Sequence, residues 1–447
     1  MTDIVHQVSD FGSQDFCLEC IAFVVLLCER VAPIVTTVAL THQQEYCFQR
    51  LSHIFVMAHE HLAKWFDLDA DVLHIRTTGN ATLARGTFGE VRVAIDAKRE
   101  RLLVVKTIAQ AISGGLGAPK KRLRQEVANE IVALRMLNGH DNIVSFAGLA
   151  MSSDEMMPSA LCLVFEYCPI DLCAVVARRR ASLSFDTIRF IAHEILSALR
   201  HCHSNGIIHR DVTPKNLLIS QRGRIRLCDF GLARPCPRLL EGQTENDTPQ
   251  NDDSKAMCAL YYRPPENLLG GPAVHDSFDM YSCGLVIAEL ITGRPLFPGK
   301  NVLDQLHRTF QVLGTPDASE GWVQTLPDFT RVSFRQYYPQ PLEQVLPRAA
   351  ECSTLLSLLQ SLIVLDPRQR KSARVVLQDD SSQFRPMARS ALDLIPTECK
   401  GVIFSHSSIE IAEEEALSLA ASRRLCTHHD YLETEWKLSI QEALQGA

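Results

Sequence analysis

An α+β fold is expected for this sequence, on a resemblance whose motifs follow, and two observations about its patterning place the elements. Strand-like runs gather early, in residues 81–108 and again in 161–168, with one helical stretch, Leu123 to Leu137, between them. A longer helical pattern, Asp186 to His203, follows them. A third observation concerns chemistry. The stretch His209-Arg210-Asp211-Val212-Thr213-Pro214-Lys215-Asn216 is followed by Asp229-Phe230-Gly231. An acid able to orient a hydroxyl thus precedes an amide able to hold a metal. A second carboxylate follows the short apolar strand Ile225 to Leu227 and can return to the same place. Phosphoryl transfer needs an aimed nucleophile and neutralised phosphate charge, and these residue types supply both.

Composition sets the outer bounds. At ~150 residues per domain, a chain of 447 residues has room for two to three domains. Hydrophobic residues at 46% and charged residues at 22% describe a soluble chain with a substantial core. A formal charge of −7 gives no basic footprint, so nucleic acid is not an expected partner. Fifteen cysteines, an odd number without repeated spacing, argue against a disulfide framework and for reduced thiols in the cytoplasm or nucleus. Cys17 and Cys20 form a C-x-x-C without the second pair that a structural zinc needs. The apolar run Ile21 to Cys28 is broken by Glu29, Arg30 and Pro33, short of the ~20 residues that span a bilayer, so no membrane segment is expected.

The paired motifs around Asp211 and Asp229 closely resemble the catalytic loop and metal-binding motif of eukaryotic protein kinases. The resemblance covers about residues 81–380 and implies an α+β, bilobal fold. A small antiparallel sheet with one key helix would lie over a mainly helical lobe, with ATP and Mg2+ between them. The implied domains are an N-terminal extension, 1–75, a kinase domain, 76–380, with its small lobe ending at 168, and a C-terminal tail, 381–447.

Each part of the implied site can be placed on this sequence. Leu83-Ala84-Arg85-Gly86-Thr87-Phe88-Gly89-Glu90-Val91 reads as strand, turn and strand around two glycines, where such phosphate loops have three. Leu83, Gly86, Gly89 and Val91 would cover ATP. Lys106, in the strand Arg101 to Ile108, matches the lysine that pairs with the phosphates. A polar insert, Ser113 to Lys121, precedes the helix. Glu130 is in place to hold Lys106, with Glu126 one turn earlier as the alternative. Leu161 to Cys168 resembles the hinge. There the Glu166 carbonyl and the Cys168 backbone would meet adenine, Phe165 would stand behind it, Asp171 would reach the ribose and Leu218 would lie beneath. Asp211 would orient the substrate hydroxyl, while Asn216 and Asp229 would bind Mg2+. Asp279 would brace the catalytic loop, and Glu266 would pair with Arg370.

Leu296-Phe297-Pro298-Gly299 and Leu313-Gly314-Thr315-Pro316 resemble the cyclin-dependent and mitogen-activated branch. That branch implies protein substrates phosphorylated at serine or threonine before proline, and a cyclin-like activating subunit. Two departures stand out. Thr213 occupies the position of a lysine, and Ala259 that of a threonine which contacts it. Lys215 falls where many tyrosine kinases carry an arginine, so it reads either as a substitute phosphate contact or as a solvated lysine. These departures keep two alternatives open, a pseudokinase scaffold and a dual-specificity enzyme. Ser254 aligns with an activating phosphosite, served by Arg210 and Arg234, with Asn129 where a third arginine is usual. Helical patterns are also expected over Phe48–Phe66, Ile409–Leu425 and Tyr431–Leu444. Docking on the lobe, partner binding and disorder are all compatible with the tail.

Overall fold

The computed structural model describes residues 75–86, 89–96, 101–108, 118–151, 161–179, 183–235, 259–272, 275–379 and 390–395. The helices expected at 48–66, 409–425 and 431–444, the Cys17/Cys20 pair and Ser254 lie outside the described residues.

Five strands form the first layer: β1 (Ile75–Gly86), β2 (Gly89–Asp96), β3 (Arg101–Ile108), β4 (Phe146–Met151) and β5 (Leu161–Glu166). They are antiparallel, in the order β1-β2-β3-β5-β4. β1 begins well before the glycine turn that marked it in the sequence, because residues 75–77 pair with 94–96 ahead of two register irregularities. Gly86 faces Gly89 across the β1–β2 turn, and Val91 lies beside Lys106 in the β2–β3 register. That register places the turn's second strand directly over the lysine.

Helix α1 (Ala118–Leu137) starts five residues before the Leu123 expected from the apolar spacing. The end of the polar insert is therefore helical. Pro119 sits in the first turn, where a missing N–H costs nothing. Val127, Ile131, Leu134 and Leu137 are all buried, as their spacing requires. The helix packs on the short 3-10 turn Phe230–Leu232 that follows Asp229.

After the hinge, β6 (Ile170–Asp171) pairs with β8 (Leu217–Ile219), which pairs with β9 (Ile225–Leu227). β7 (Ile207–Ile208) pairs with β10 (Arg234–Pro235). The rest is helical. It includes α2 (Leu172–Arg179), α3 (Phe185–Ser204), α4 (Pro265–Leu268), α5 (Ser277–Thr292), α6 (Val302–Leu313), α7 (Ser353–Leu362) and α8 (Ala373–Asp379). Ser184 caps α3 by accepting from the Thr187 amide at 3.1 Å. An antiparallel sheet followed by a mainly helical half is the bilobal architecture the sequence implied.

The helical half is built around α5, buried from Phe278 to Ile291 on all its faces. Gly284 lets α7 come close: a Cβ there would meet Ile363 Cγ1 at 2.9 Å and Leu362 Cβ at 3.0 Å. Residues 390–395 fold back onto the same half. The Ala391 amide donates to the Gly223 carbonyl at 2.8 Å, and Arg179 Nη2 donates to the Asp393 carbonyl at 3.1 Å. This part of the tail is docked.

Arg370 closes the lower part of the core. Its guanidinium meets both oxygens of Glu266 at 2.7 Å, lies over the Tyr281 ring and donates to the carbonyls of Ser277, Val364 and Leu365. Removing one member of such a buried pair leaves the other charge uncompensated. Arg370→Leu should therefore lower unfolding stability by roughly 3–5 kcal/mol. A urea midpoint within error of the parent would show that the pair contributes nothing net.

Candidate active site

Three elements converge on Lys106. Its Nζ lies 2.7 Å from Glu130 Oε1 on α1 and 2.9 Å from Asp229 Oδ1 after β9. Glu130 is buried, whereas the Asp229 side chain is 46% exposed and open to a ligand. Burial would lower the lysine's pKa, but the charges of Asp229 and Glu130 outweigh it and hold the ammonium above its usual range. In return, Lys106 is the largest influence holding the Asp229 carboxyl below the ordinary carboxylate range, against burial. Lys215 adds a smaller pull in the same direction.

The catalytic-loop residues are held by backbone geometry and one buried acid. Arg210 (φ 68°) and Asp229 (φ 61°) both adopt left-handed backbone conformations, each strained by about 1–3 kcal/mol. Asp279 on α5 compensates at the first of these positions. It accepts from the His209 amide at 2.8 Å (Oδ2), the Arg210 amide at 2.8 Å (Oδ1) and His203 Nε2 at 2.9 Å (Oδ2). His209 Nε2 lies 3.0 Å from the Cys228 carbonyl, which can only accept, so Nε2 carries the proton. Nδ1 then accepts from the Asp211 amide at 3.2 Å, and the loop and the strand carrying Asp229 are tied together.

Asp211 and Asn216 meet directly. Asn216 Nδ2 donates to Asp211 Oδ2 at 2.7 Å and to its carbonyl at 2.9 Å. The Asn216 backbone carbonyl accepts from the Cys228 amide at 2.9 Å, while its side-chain Oδ1 takes no hydrogen bond among the described residues. Burial pushes the Asp211 carboxyl up, while the Ala259 amide and Asn216 pull it down. Asn216 and Asp229 offer hard oxygen donors, which suit Mg2+. No group of three or more His, Cys, Asp or Glu able to hold a metal by itself occurs among the described residues. A donor pair of this kind would suit an ion that completes its coordination with phosphate and water.

At the hinge, Glu166 ends β5, and Tyr167, Cys168 and Ile170 are buried as the chain leaves the sheet. Phe165 packs tilted against Phe146 at 5.7 Å. Leu218 is half-buried on β8, opposite Asp171. Asp171 Oδ1 caps α2 through the Ala174 amide at 2.8 Å. Lys215 is exposed, while Thr213 and Arg210 are buried. Arg234, on β10, pairs with Ile208 on β7, two residues before Arg210. Gly86 and Gly89 are placed by backbone pairing, as is Leu83 within β1.

Two contacts had no signal in the sequence. Arg226 Nε pairs with the Glu166 side chain at 3.0 Å, and its Nη1 donates to the Asp141 carbonyl, joining hinge, β9 and the loop after α1. The Ala259 amide donates to Asp211 Oδ1 at 3.3 Å. Strand alternation placed Arg226 only on a face, and a backbone donor has no residue-type signature.

Burial tends to raise the Asp279 carboxyl, but the His203 hydrogen bond and the His209 amide outweigh it and hold it below the ordinary range. A depressed folded value means that Asp279 stabilises the fold above its unfolded pKa, near ~3.9. That stabilisation drains away as pH falls further, through the folded value. Asp279→Asn should cost about 1–3 kcal/mol at pH 7 and flatten the stability loss as pH falls below about 4. Urea unfolding of both proteins across this window checks it, and parallel pH curves would contradict the assignment.

Comparison with known proteins agrees with this geometry. The family described as "Protein kinase domain" matches residues 78–381. "Cell division control protein 2 homolog 3" of Trypanosoma brucei brucei is 32% identical over 299 residues, covering 66% of this chain and 88% of that protein. Among the described residues no helix is long and apolar enough to cross a membrane. With Lys106 joining Glu130 to Asp229, Asp211 against Asn216, and a family match over most of its length, the chain belongs to the protein kinase family.

Proposed function

We propose that the chain is a serine/threonine protein kinase that transfers the ATP γ-phosphoryl group to protein hydroxyls. One observation carries this reading: a single lysine touches both Glu130 and Asp229, and Asp211 is held beside Asn216. The substrate hydroxyl oxygen forms a bond to the γ-phosphorus as the bond to the β–γ bridging oxygen breaks. The hydroxyl proton passes to Asp211, and the products are ADP and a phosphoprotein. Lys106 positions the phosphates, and Glu130 fixes Lys106. Asn216 and Asp229 would hold Mg2+, which neutralises phosphate charge when bound. Adenine would lie against the backbone of Glu166 and Cys168, between Val91 and Leu218, beneath the Leu83–Gly89 turn, with Asp171 toward the ribose.

The transfer domain spans residues 76–380, and the cleft falls where the chain passes from 168 into the helical half. Lys215 stands exposed with its charge acting on Asp229, which suits a phosphate contact made during transfer. Target sites before proline and a cyclin-like activating subunit follow from the branch motifs, supported by the cell-division relative. Phosphorylation of Ser254 would bring about −1.5 to −2 charges toward Arg210 and Arg234, which flank one two-stranded ribbon.

The test is transfer of label from ATP, with Mg2+, to a pooled peptide library by the full chain. Parent protein should label serine and threonine peptides. Asp211→Asn should lower kcat by about 10²–10⁴ while still binding ATP, and Lys215→Ala should lower kcat more than it weakens ATP binding. A parent chain that binds ATP and labels nothing is a nucleotide-binding scaffold, and the proposal fails.

A further inference from the structure

The Asp211 carboxylate is gripped at both oxygens, and neither grip is ionic. Asn216 Nδ2 holds Oδ2 at 2.7 Å, and the Ala259 backbone N–H donates to Oδ1 at 3.3 Å. Asp211 takes part in no ion pair among the described residues. A carboxylate turns easily about its terminal torsion, whose wells are broad and two-fold. One anchored oxygen leaves that rotation free, whereas a second donor on the other oxygen fixes the plane.

Donor and acceptor are both mounted on α5. The loop carrying Asp211 hangs from Asp279 through the His209 and Arg210 amides. The Ala259 carbonyl accepts from the Tyr262 amide at 3.2 Å, starting a 3-10 turn, and the Tyr262 hydroxyl donates to Glu289, buried on α5. One helix therefore sets the spacing between the amide and the acid.

We propose that the Ala259 backbone N–H is a positioning donor for phosphoryl transfer, fixing the plane of the Asp211 carboxylate in place of a side-chain cation. The proposal rests on the kinase reading above. It explains why Thr213 and Ala259 can stand close to the acid without a charged side chain: the donor belongs to the main chain. It also links the acid to the segment 236–258, because Ala259 is the residue to which that segment connects.

Ala259 has φ −56°, within the range that proline fixes, so Ala259→Pro removes the N–H without demanding a new φ. In the full chain with Mg-ATP and the best library peptide, this change should lower kcat about 10- to 100-fold. The KM for ATP should stay within about twofold. Thr213→Lys, by supplying an ammonium near Asp211, should restore at least part of the kcat lost in the double variant. Ala259→Gly keeps the N–H, and its kcat should remain at least several-fold above that of Ala259→Pro. A backbone ester at residue 259 replaces the N–H with oxygen without adding a ring, and it should reproduce the proline defect if proline perturbs folding. Equal kcat in parent and ester variants, or a loss appearing only in KM, would overturn the proposal.

A readout independent of transfer separates it from the kinase reading. In protein labelled with 15N-alanine, the Ala259 amide proton should move upfield on Asp211→Asn, as its charged acceptor is lost. An unmoved resonance overturns the positioning contact even in an active kinase. A moved resonance in a chain without transfer upholds the contact and rejects the kinase reading.

Discussion

An ammonium held between two carboxylates ties the sheet to α1 and to the turn after β9. Lys106 comes from β3, Glu130 from α1 and Asp229 from the turn after β9, and each contact is shorter than 3 Å. Two carboxylates this close repel unless a cation lies between them, and that cation must be supplied by the sheet. The position of α1 is thus coupled electrostatically to the position of Asp229. The packing of α1 on Phe230–Leu232 gives the same coupling in apolar contacts. Phe230 is wholly buried and meets the His209 ring edge-on at 4.8 Å, so the coupling reaches the loop that carries Asp211.

The second constraint lies beneath the cleft. Left-handed backbone at Arg210 and Asp229 is strained, and it persists only because surrounding groups over-determine it. Asp279 supplies acceptors to two consecutive amides at the first position. His209 spans to Cys228, which adjoins the second. Because Asp279 sits on a helix buried from Phe278 to Ile291, the site is aimed by a rigid element rather than by the loops that carry it.

Much of this was legible in the sequence, for identifiable reasons. The strand Arg101–Ile108 and the helix expected over Asp186–His203, ending at Asn205-Gly206, were visible as runs of their own, and Glu130 by its distance from His140-Asp141-Asn142. The Glu266–Arg370 and Asp279 contacts followed from motif order. What was not legible is mostly backbone. The early start of α1 was masked by a glycine-containing polar run, and the length of β1 by irregular pairing between Thr77 and Ala84. The capping duty of Asp171 and the Arg226 bridge depend on tertiary neighbours that no local pattern encodes. The Ala259 amide is the extreme case, since every residue but proline carries one.

On the proposed kinase reading, Lys106, Asp229 and Asn216 would form one site for metal-bound nucleotide. Calorimetric titration of ATP into the full chain, with and without Mg2+, tests this most directly. Mg2+ should tighten ATP binding, and Asp229→Asn should abolish the tightening while leaving metal-free binding largely in place. Metal-independent affinity in the parent protein, or tightening that survives Asp229→Asn, would contradict it.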